Sequence, residues 1–244
     1  MVNESSLARK ILPLIDFTSL NAADTEMDIT VLCQKAQTFP LVAAVCVYPQ
    51  FVNLAAKLLI HSPIKIATVV NFPFGREPSA AVFHSIARCI TEGANEIDVV
   101  FPYEKYLKDE TQEAKDFIQQ CKEICGHKVL LKVILETGIL QASEVIADVS
   151  ELAILAGADF IKTSTGKVPV GATLEASSVM LSVIKKWTPQ LNRTIGFKAS
   201  GGIRTVEQAT SYLNLAEQIM GDDWVTPETF RFGTSQLVDA VLKW

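Results

Sequence analysis

Histidine is scarce in this chain: three residues, His61, His84 and His127, among 244. None stands near a cluster of Cys, Asp or Glu, so a metal site has no ligand set to build on, and no cofactor is called for. The cysteines number five (33, 46, 89, 121 and 125), and none forms a pair at metal-ligand spacing. Cys121 and Cys125 lie four apart on a predicted helix, a separation that arises more often by coincidence than for ligation. An odd count without a secretion signal points to reduced thiols and a cytoplasmic protein. Basic residues are not in excess: Lys and Arg total 22 against 27 Asp and Glu, a net charge of −5. That argues against a nucleic-acid partner, whose phosphates attract basic surfaces. A small anionic substrate stays open, because it answers to a local pocket.

Long apolar runs are missing as well. Arg9 and Lys10 interrupt the N-terminal segment MVNESSLARKILPLID, so no signal peptide is read there. The apolar stretch 41–60 is broken by Pro49, Gln50, Asn53 and Lys57. It reads as a strand followed by a helix, and no membrane partner is expected.

What is present is a large apolar fraction, 49% against 20% charged, enough for a sizeable core. Short β-branched runs alternate with segments of helical period, the pattern of parallel strands joined by crossover helices. Eight such runs cover 12–18, 42–48, 64–71, 96–101, 129–136, 158–164, 194–200 and 229–234, the last the weakest. Helices are predicted over 24–38, 50–61, 79–92, 110–125, 143–156, 173–187, 205–220 and 235–243, with a short leading helix over 4–11. Thr205 and Gln208 match a capping box, and Gly157 and Gly221 stand where helices should stop. No linker divides the chain. The expected fold is α/β: a single-domain (β/α)8 TIM barrel over residues 1–244 with a short N-terminal helix.

Charge inside apolar strands is the informative oddity. Lys132 sits in VLLKVILE, Lys162 in DFIKTS, Lys198 in IGFKAS, Asp98 in EIDVVF and Asp16 in LPLIDF. A buried ammonium is costly unless paired. In a closed barrel alternate side chains point inward, so three lysines and two aspartates on five strands could converge at the catalytic mouth. The alternative for any one lysine is that it points outward and snorkels to solvent. Converged cations have a chemical use: an amine beside another cation in a poorly solvated pocket loses its proton more easily, attacks a carbonyl and forms a Schiff base. A carboxylate such as Asp98 would hold the second lysine and carry protons. Spacing alone leaves open which lysine is the nucleophile.

Glycine-containing turns follow the last three predicted strands: Ser164-Thr-Gly166-Lys167, Ser200-Gly201-Gly202-Ile-Arg204 and Gly233-Thr-Ser235, the last opening a helix. Loops after strands seven and eight of this fold commonly cradle phosphate, because glycine lets backbone N–H groups approach the oxygens. The run STGK lacks the upstream glycine and following Ser or Thr of a nucleotide P-loop. Cys46 is either a small core hydrophobe or a pocket wall. Phe72 and Phe74 either line the mouth or pack the loop beyond the third strand.

The segments NFPFG, EIDVVFPY, VLLKVILETG, FIKTSTGK and IGFKASGGIRT, in the family's order along nearly the whole chain, resemble deoxyribose-phosphate aldolase, a bacterial class I enzyme. The resemblance implies reversible cleavage of 2-deoxy-D-ribose 5-phosphate into acetaldehyde and D-glyceraldehyde 3-phosphate. It also implies Lys162 as the Schiff-base lysine, Lys198 as the second lysine that perturbs it and Asp98 as the proton relay. Asp16, Cys46 and Lys132 match further pocket positions, and Gly166, Lys167, Gly201, Gly202, Gly233 and Ser235 match the phosphate-binding turns. Partners are then small phosphorylated sugars and aldehydes; nothing in the sequence identifies an assembly interface, and a homodimer is allowed.

Two departures stand out. Some members carry a C-terminal tail ending in a tyrosine that enters the site, whereas this sequence stops at Leu242-Lys-Trp244. Proton transfer is therefore expected either to be slower or to rely on water and the Asp98–Lys198 pair. The chain also has KASGG where many relatives have KPAGG, and TSQ where some have ASS, so altered turn rigidity and phosphate affinity are expected. The same residues fit two alternatives, another Schiff-base barrel aldolase for a different phosphorylated sugar and a non-catalytic sugar-phosphate binding protein.

Overall fold

A short leading helix α1 (Glu4–Ile11) brings the chain to its first strand β1 (Ile15–Thr18), and from there strands and helices alternate to the end of a computed structural model that describes residues 4–38 and 42–243. The order is α2 (Glu26–Thr38), β2 (Ala44–Val47), α3 (Val52–Leu58), β3 (Lys65–Val70), α4 (Ser79–Thr91), β4 (Glu96–Val100), α5 (Tyr103–Tyr106) and α6 (Thr111–Cys125). There follow β5 (Leu130–Ile134), α7 (Thr137–Leu140), α8 (Ser143–Leu155), β6 (Phe160–Lys162), α9 (Leu174–Leu191), β7 (Gly196–Ser200), α10 (Val206–Met220), β8 (Phe230–Thr234) and α11 (Leu237–Lys243). Each strand pairs in parallel with its sequence neighbours, and β1 pairs with β8, so the sheet closes: a (β/α)8 barrel in one domain.

Strand alternation divides the core in two. Phe17, Val45, Val47, Ile97, Val99, Leu131, Val133, Ile161, Phe197, Phe230 and Phe232 face outward and join the helices in one continuous apolar layer. The inward set is different in kind. On β2 and β3 it is small and apolar: Ala44, Cys46, Ala67 and Val69 make their own cluster with Leu20. On β1 and β4 to β8 it is largely ionic. Register sets Asp98 opposite Lys132, Lys162 opposite Lys198, and Lys198 opposite Arg231.

Several boundaries differ from expectation. The first strand begins at Ile15 because residues 12–14 wind into a 3-10 turn around Pro13, which has no N–H for a ladder. The sixth strand shrinks to three residues and ends on Lys162. The fifth stops at Ile134, and Glu136 beyond it takes a left-handed conformation with φ 60°. The predicted helix 50–61 is a 3-10 turn at 49–51 followed by α3, and α9 runs on to Leu191 through Pro189. Proline costs little there, because only the last turn follows it. The four-residue helices α5 and α7 were not anticipated; one turn carries no readable period. The Thr205–Gln208 capping box forms, and Gly157 and Gly221 close α8 and α10 at φ 104° and 101°. Among the described residues no helix is long and apolar enough to cross a membrane.

Close packing inside the barrel can be tested at Gly196. A Cβ built there would lie 2.3 Å from the ring of Phe160, which is 2% exposed and stands two residues before Lys162. Gly196→Ala is expected to destabilise the fold by about 1–3 kcal/mol, the usual cost of overpacking, measured by urea unfolding. Unchanged stability would show that the ring has room to move.

Candidate active site

Seven ionisable side chains meet inside the barrel, all buried: Asp16 from β1, Glu96 and Asp98 from β4, Lys132 from β5, Lys162 from β6, Lys198 from β7 and Arg231 from β8. Asp98 is their hub. Its Oδ2 accepts from Lys162 Nζ at 2.8 Å and from Lys198 Nζ at 2.7 Å, while Oδ1 accepts from Lys132 Nζ at 2.8 Å. Lys198 also donates to Asp16 Oδ2, and Lys132 to Glu96 Oε2, each at 2.5 Å. Arg231 spans the base of the network. Its Nη1 lies 2.6 Å from Asp16 Oδ1, its Nη2 lies 3.0 Å from Glu96 Oε1, and Nε donates to the Pro227 carbonyl.

The three lysines differ in environment. Burial disfavours the ammonium at each. At Lys132 the attraction of Asp98, Glu96 and Asp16 outweighs burial, and the pKa rises. At Lys198, Asp16 and Asp98 do the same. At Lys162 burial prevails: Asp98 is its one hydrogen-bonded carboxylate, shared with two other lysines, and Lys198 repels it, so its pKa falls. Burial alone would raise the Asp98 carboxyl, but Lys132, Lys162 and Lys198 together hold it well below the usual range. Asp16 is likewise lowered against the effect of burial, by Lys198, Lys132 and Arg231. Burial pushes the Cys46 thiol up, so this residue presents a neutral wall.

Of these seven, Lys162 is the one that lines a cleft of about 200 Å3 at the C-terminal mouth of the barrel. The other walls come from the turns after β6, β7, β8 and β1: Thr165 to Lys167, Ser200 to Arg204, Gly233 to Gln236, and Thr18 with Leu20 and Asn21. Gly166, Lys167, Gly201, Gly202, Gly233 and Ser235 therefore stand around the same opening as Lys162. Gly201 and Gly202 have φ 92° and 88°, a conformation that a side chain would strain. Gly233 makes room for Lys198, since a Cβ there would lie 3.0 Å from its Cε. Lys167 donates to the Leu20 carbonyl at 2.6 Å, drawing the β6 turn towards that of β1.

One expected element is altered. The helix opening after Gly233 has only seven residues, and Thr234 Oγ1 accepts from the Gln236 and Leu237 amides at 3.3 and 3.2 Å. The amides at this helix start are thus partly taken by Thr234, while Ser235 stands exposed. Asp16, Cys46, Lys132, Lys198 and Asp98 lie beneath the cleft floor. Lys132 stands two residues below Ile134, the register partner of Lys162. Cys46 closes the floor on the apolar side, and Phe72 packs on the same cluster with Tyr48, the two rings 6.0 Å apart. Phe74 is exposed.

Sequence reading passed over Glu96 and Arg231, although both obey the rule that exposed the lysines, a charge inside an apolar strand. It also passed over Glu136, Thr165 and Arg204. The buried Glu136 carboxylate accepts from Thr165 N and Oγ1 and braces the turn that carries Gly166; burial raises its pKa, and the Thr165 bonds and Lys162 only partly offset this. Arg204 adds a cation to the rim of the cleft.

The sequence matches the family described as DeoC/LacD family aldolase over residues 10–231. A solved structure from Coccidioides immitis, described as a candidate deoxyribose-phosphate aldolase, is 30% identical with a TM-score of 0.85, covering 97% of this chain and 86% of its own. Another, described as QR15, an aldolase, is 30% identical with a TM-score of 0.81 and covers 96% of both chains. A deoxyribose phosphate aldolase from Aeropyrum pernix, described as tetrameric, shares the fold at 24% identity and a TM-score of 0.79, covering 100% of this chain and 92% of its own. The chain belongs to the DeoC/LacD family of aldolases.

Proposed function

We propose that this chain cleaves 2-deoxy-D-ribose 5-phosphate reversibly into acetaldehyde and D-glyceraldehyde 3-phosphate through a Schiff base on Lys162. One observation carries the reading: the single buried lysine with a lowered pKa is also the one that opens on the glycine-lined cleft. An amine whose ammonium is disfavoured gives up its proton more readily, and the neutral form is the nucleophile. It adds to the aldehyde carbon of the open-chain sugar and, after loss of water, forms an iminium. The 3-hydroxyl gives up its proton as the C2–C3 bond breaks. The electron pair flows into the iminium to leave an enamine, and glyceraldehyde 3-phosphate departs. Protonation of the enamine at its terminal carbon and hydrolysis of the imine release acetaldehyde and restore the amine. Protons move through water held by the Asp98–Lys198 pair. Asp98, with its carboxyl far below the usual range, keeps a proton only in passing and serves mainly to hold the two amines in place.

Substrate choice follows from the two sides of the cleft. The Gly201–Gly202 amides, Ser235, Lys167 and Arg204 suit a terminal phosphate. Leu20, backed by the buried Cys46, Ala67 and Val69, gives the cleft one apolar side that suits a methyl-bearing two-carbon donor. The likeness to the Coccidioides immitis protein supports the same substrate.

Two measurements test the reading. Borohydride reduction in the presence of acetaldehyde, followed by peptide mapping, is expected to leave an ethyl group on Lys162 and none in Lys162→Ala. An adduct confined to Lys198 or to surface lysines would reject the assignment. Ser235→Ala is expected to raise KM for the phosphorylated sugar about tenfold, the effect of losing one hydrogen bond to a charged group, and to leave KM for unphosphorylated 2-deoxyribose nearly unchanged. Equal effects on both sugars would remove the phosphate site from this turn.

A further inference from the structure

Beneath the cleft lies a pair that the chemistry above does not use. Arg231 and Glu96 are 5% and 1% exposed and touch neither the cleft nor Lys162 directly. They are nevertheless wired to it. Arg231 holds Asp16, Asp16 holds Lys198, and Lys198 shares Asp98 Oδ2 with Lys162. On the other side Glu96 holds Lys132, which shares the second oxygen of Asp98. Within this contiguous network three carboxylates (Asp16, Glu96, Asp98) face four basic groups (Lys132, Lys162, Lys198, Arg231). Arginine does not give up its proton in a protein, so the surplus positive charge must leave from a lysine. Lys132 and Lys198 each contact two carboxylates within 2.8 Å, whereas Lys162 contacts one.

We infer that Arg231 and Glu96 are opposed positioning residues that set the charge on Lys162 at a distance, Arg231 by being the fixed fourth cation and Glu96 by limiting the excess to one. The inference rests on Lys162 being the amine that forms the imine. Other charged groups near Lys162 do not remove the asymmetry. Asp98 from β4, Lys198 from β7, Lys132 from β5 and Asp16 from β1 belong to the count. Cys46 from β2 stays a neutral thiol; Glu136 after β5 feels the Lys162 charge through space, but burial disfavours its carboxylate and its hydrogen bonds go to Thr165, not to any of the four cations. Lys167 and Arg204 stand on the solvated rim of the cleft. The sign of each effect follows. Without the Arg231 charge, Asp16 and Glu96 are left under-compensated, and the Lys162 ammonium is repelled less and attracted more. Without the Glu96 charge the cation excess doubles, and the Lys162 ammonium is repelled more.

The experiment uses the full chain with acetaldehyde and cyanoborohydride, reading the rate of adduct formation on the Lys162 peptide from low to high pH. In the native protein the rate should climb with pH as Lys162 deprotonates. Arg231→Met is expected to move this ascending limb up by about one pH unit, which is about tenfold in rate at a pH below both limbs. Glu96→Gln, nearly isosteric, is expected to move it down by a similar amount. Arg231→Lys, which keeps the charge, and the double variant Arg231→Met/Glu96→Gln, which restores the count, should both lie near the native position. Loss of structure would lower the plateau without moving the limb, and if Arg231→Met does not fold, Glu96→Gln and the double variant still carry the sign. Limbs that coincide with the native one, or that move in the same direction for both single variants, would overturn the charge count while leaving the imine intact. Absence of a Lys162 adduct in the native protein at every pH would instead overturn the proposed function on which it stands.

Discussion

Three lysine amines converge on one carboxylate, and the rest of the molecule is arranged to make that tolerable. Asp98 is fully buried by its neighbours, so its charge depends on adjacent basic groups; those, equally buried, depend on carboxylates. Removing an ion from water costs about several kcal/mol after relaxation, and the attraction between partners recovers this only when geometry is good and every donor is used. A barrel filled with apolar side chains would be easier to stabilise. The ionic interior is therefore poorly explained as a stability device, and it has a clear use if one of its members must be uncharged. Closure of the sheet matters because it fixes all seven groups by backbone register, leaving no strand free to slide and let a pair separate.

Register also explains why one lysine differs from its neighbours. Lys162 ends a strand of only three residues and stands level with Lys198, at the layer where the barrel opens. Lys132 lies lower, enclosed by three carboxylates from β1 and β4. Lys198, though level with Lys162, also reaches two carboxylates, so it is the number of carboxylates in reach that pushes Lys162 one way and the other two lysines the other. Small residues assist: Gly196 admits the Phe160 ring below Lys162, and Gly233 admits the Lys198 side chain. On the opposite arc, β2 and β3 contribute no charge to the interior, which leaves an apolar wall facing an ionic one.

Much of this was legible in the sequence. Eight apolar runs separated by helical segments gave the barrel, and a lysine or aspartate amid branched aliphatics marked the interior, because no other position makes such a residue both affordable and useful. The same test applied evenly would have found Glu96 and Arg231. Glu96 was passed over because it opens its strand, where a charge reads as solvent-exposed, and Arg231 because FRFGT, short and ending in Gly-Thr, was the least convincing of the eight. Spacing left the choice among Lys132, Lys162 and Lys198 open, since it depends on which carboxylates each one reaches across the barrel; that choice came from the resemblance. Strand ends were misjudged where local chemistry intervened, as at Pro13 and at the left-handed Glu136. No periodic signal announces a lone residue held at positive φ by contacts made elsewhere.

The two departures from the family pattern acquire a common physical meaning in three dimensions. Where many relatives have proline and alanine before the paired glycines, this chain has Ala199 and Ser200, which removes the rigidity of the proline ring. Ser200 Oγ instead donates to the Ser164 carbonyl, while its amide and carbonyl bracket the Thr163 hydroxyl at 3.0 Å, so the β6 and β7 turns are stitched together. Where some relatives have alanine after the β8 glycine, Thr234 donates to the Ile203 carbonyl at 3.0 Å and ties the β8 turn to that of β7. Both hydroxyls lie in the walls of the anion-suited cleft and neither belongs to the ionic network. The chain thus substitutes hydrogen bonds between neighbouring turns for stiffness within one turn. Because hydroxyl-to-carbonyl bonds do not titrate, these ties between turns do not depend on the proton equilibria beneath them, unlike the Glu136 brace on the β6 turn. That separation lets a charge be tuned at Lys162 without loosening the grip above it.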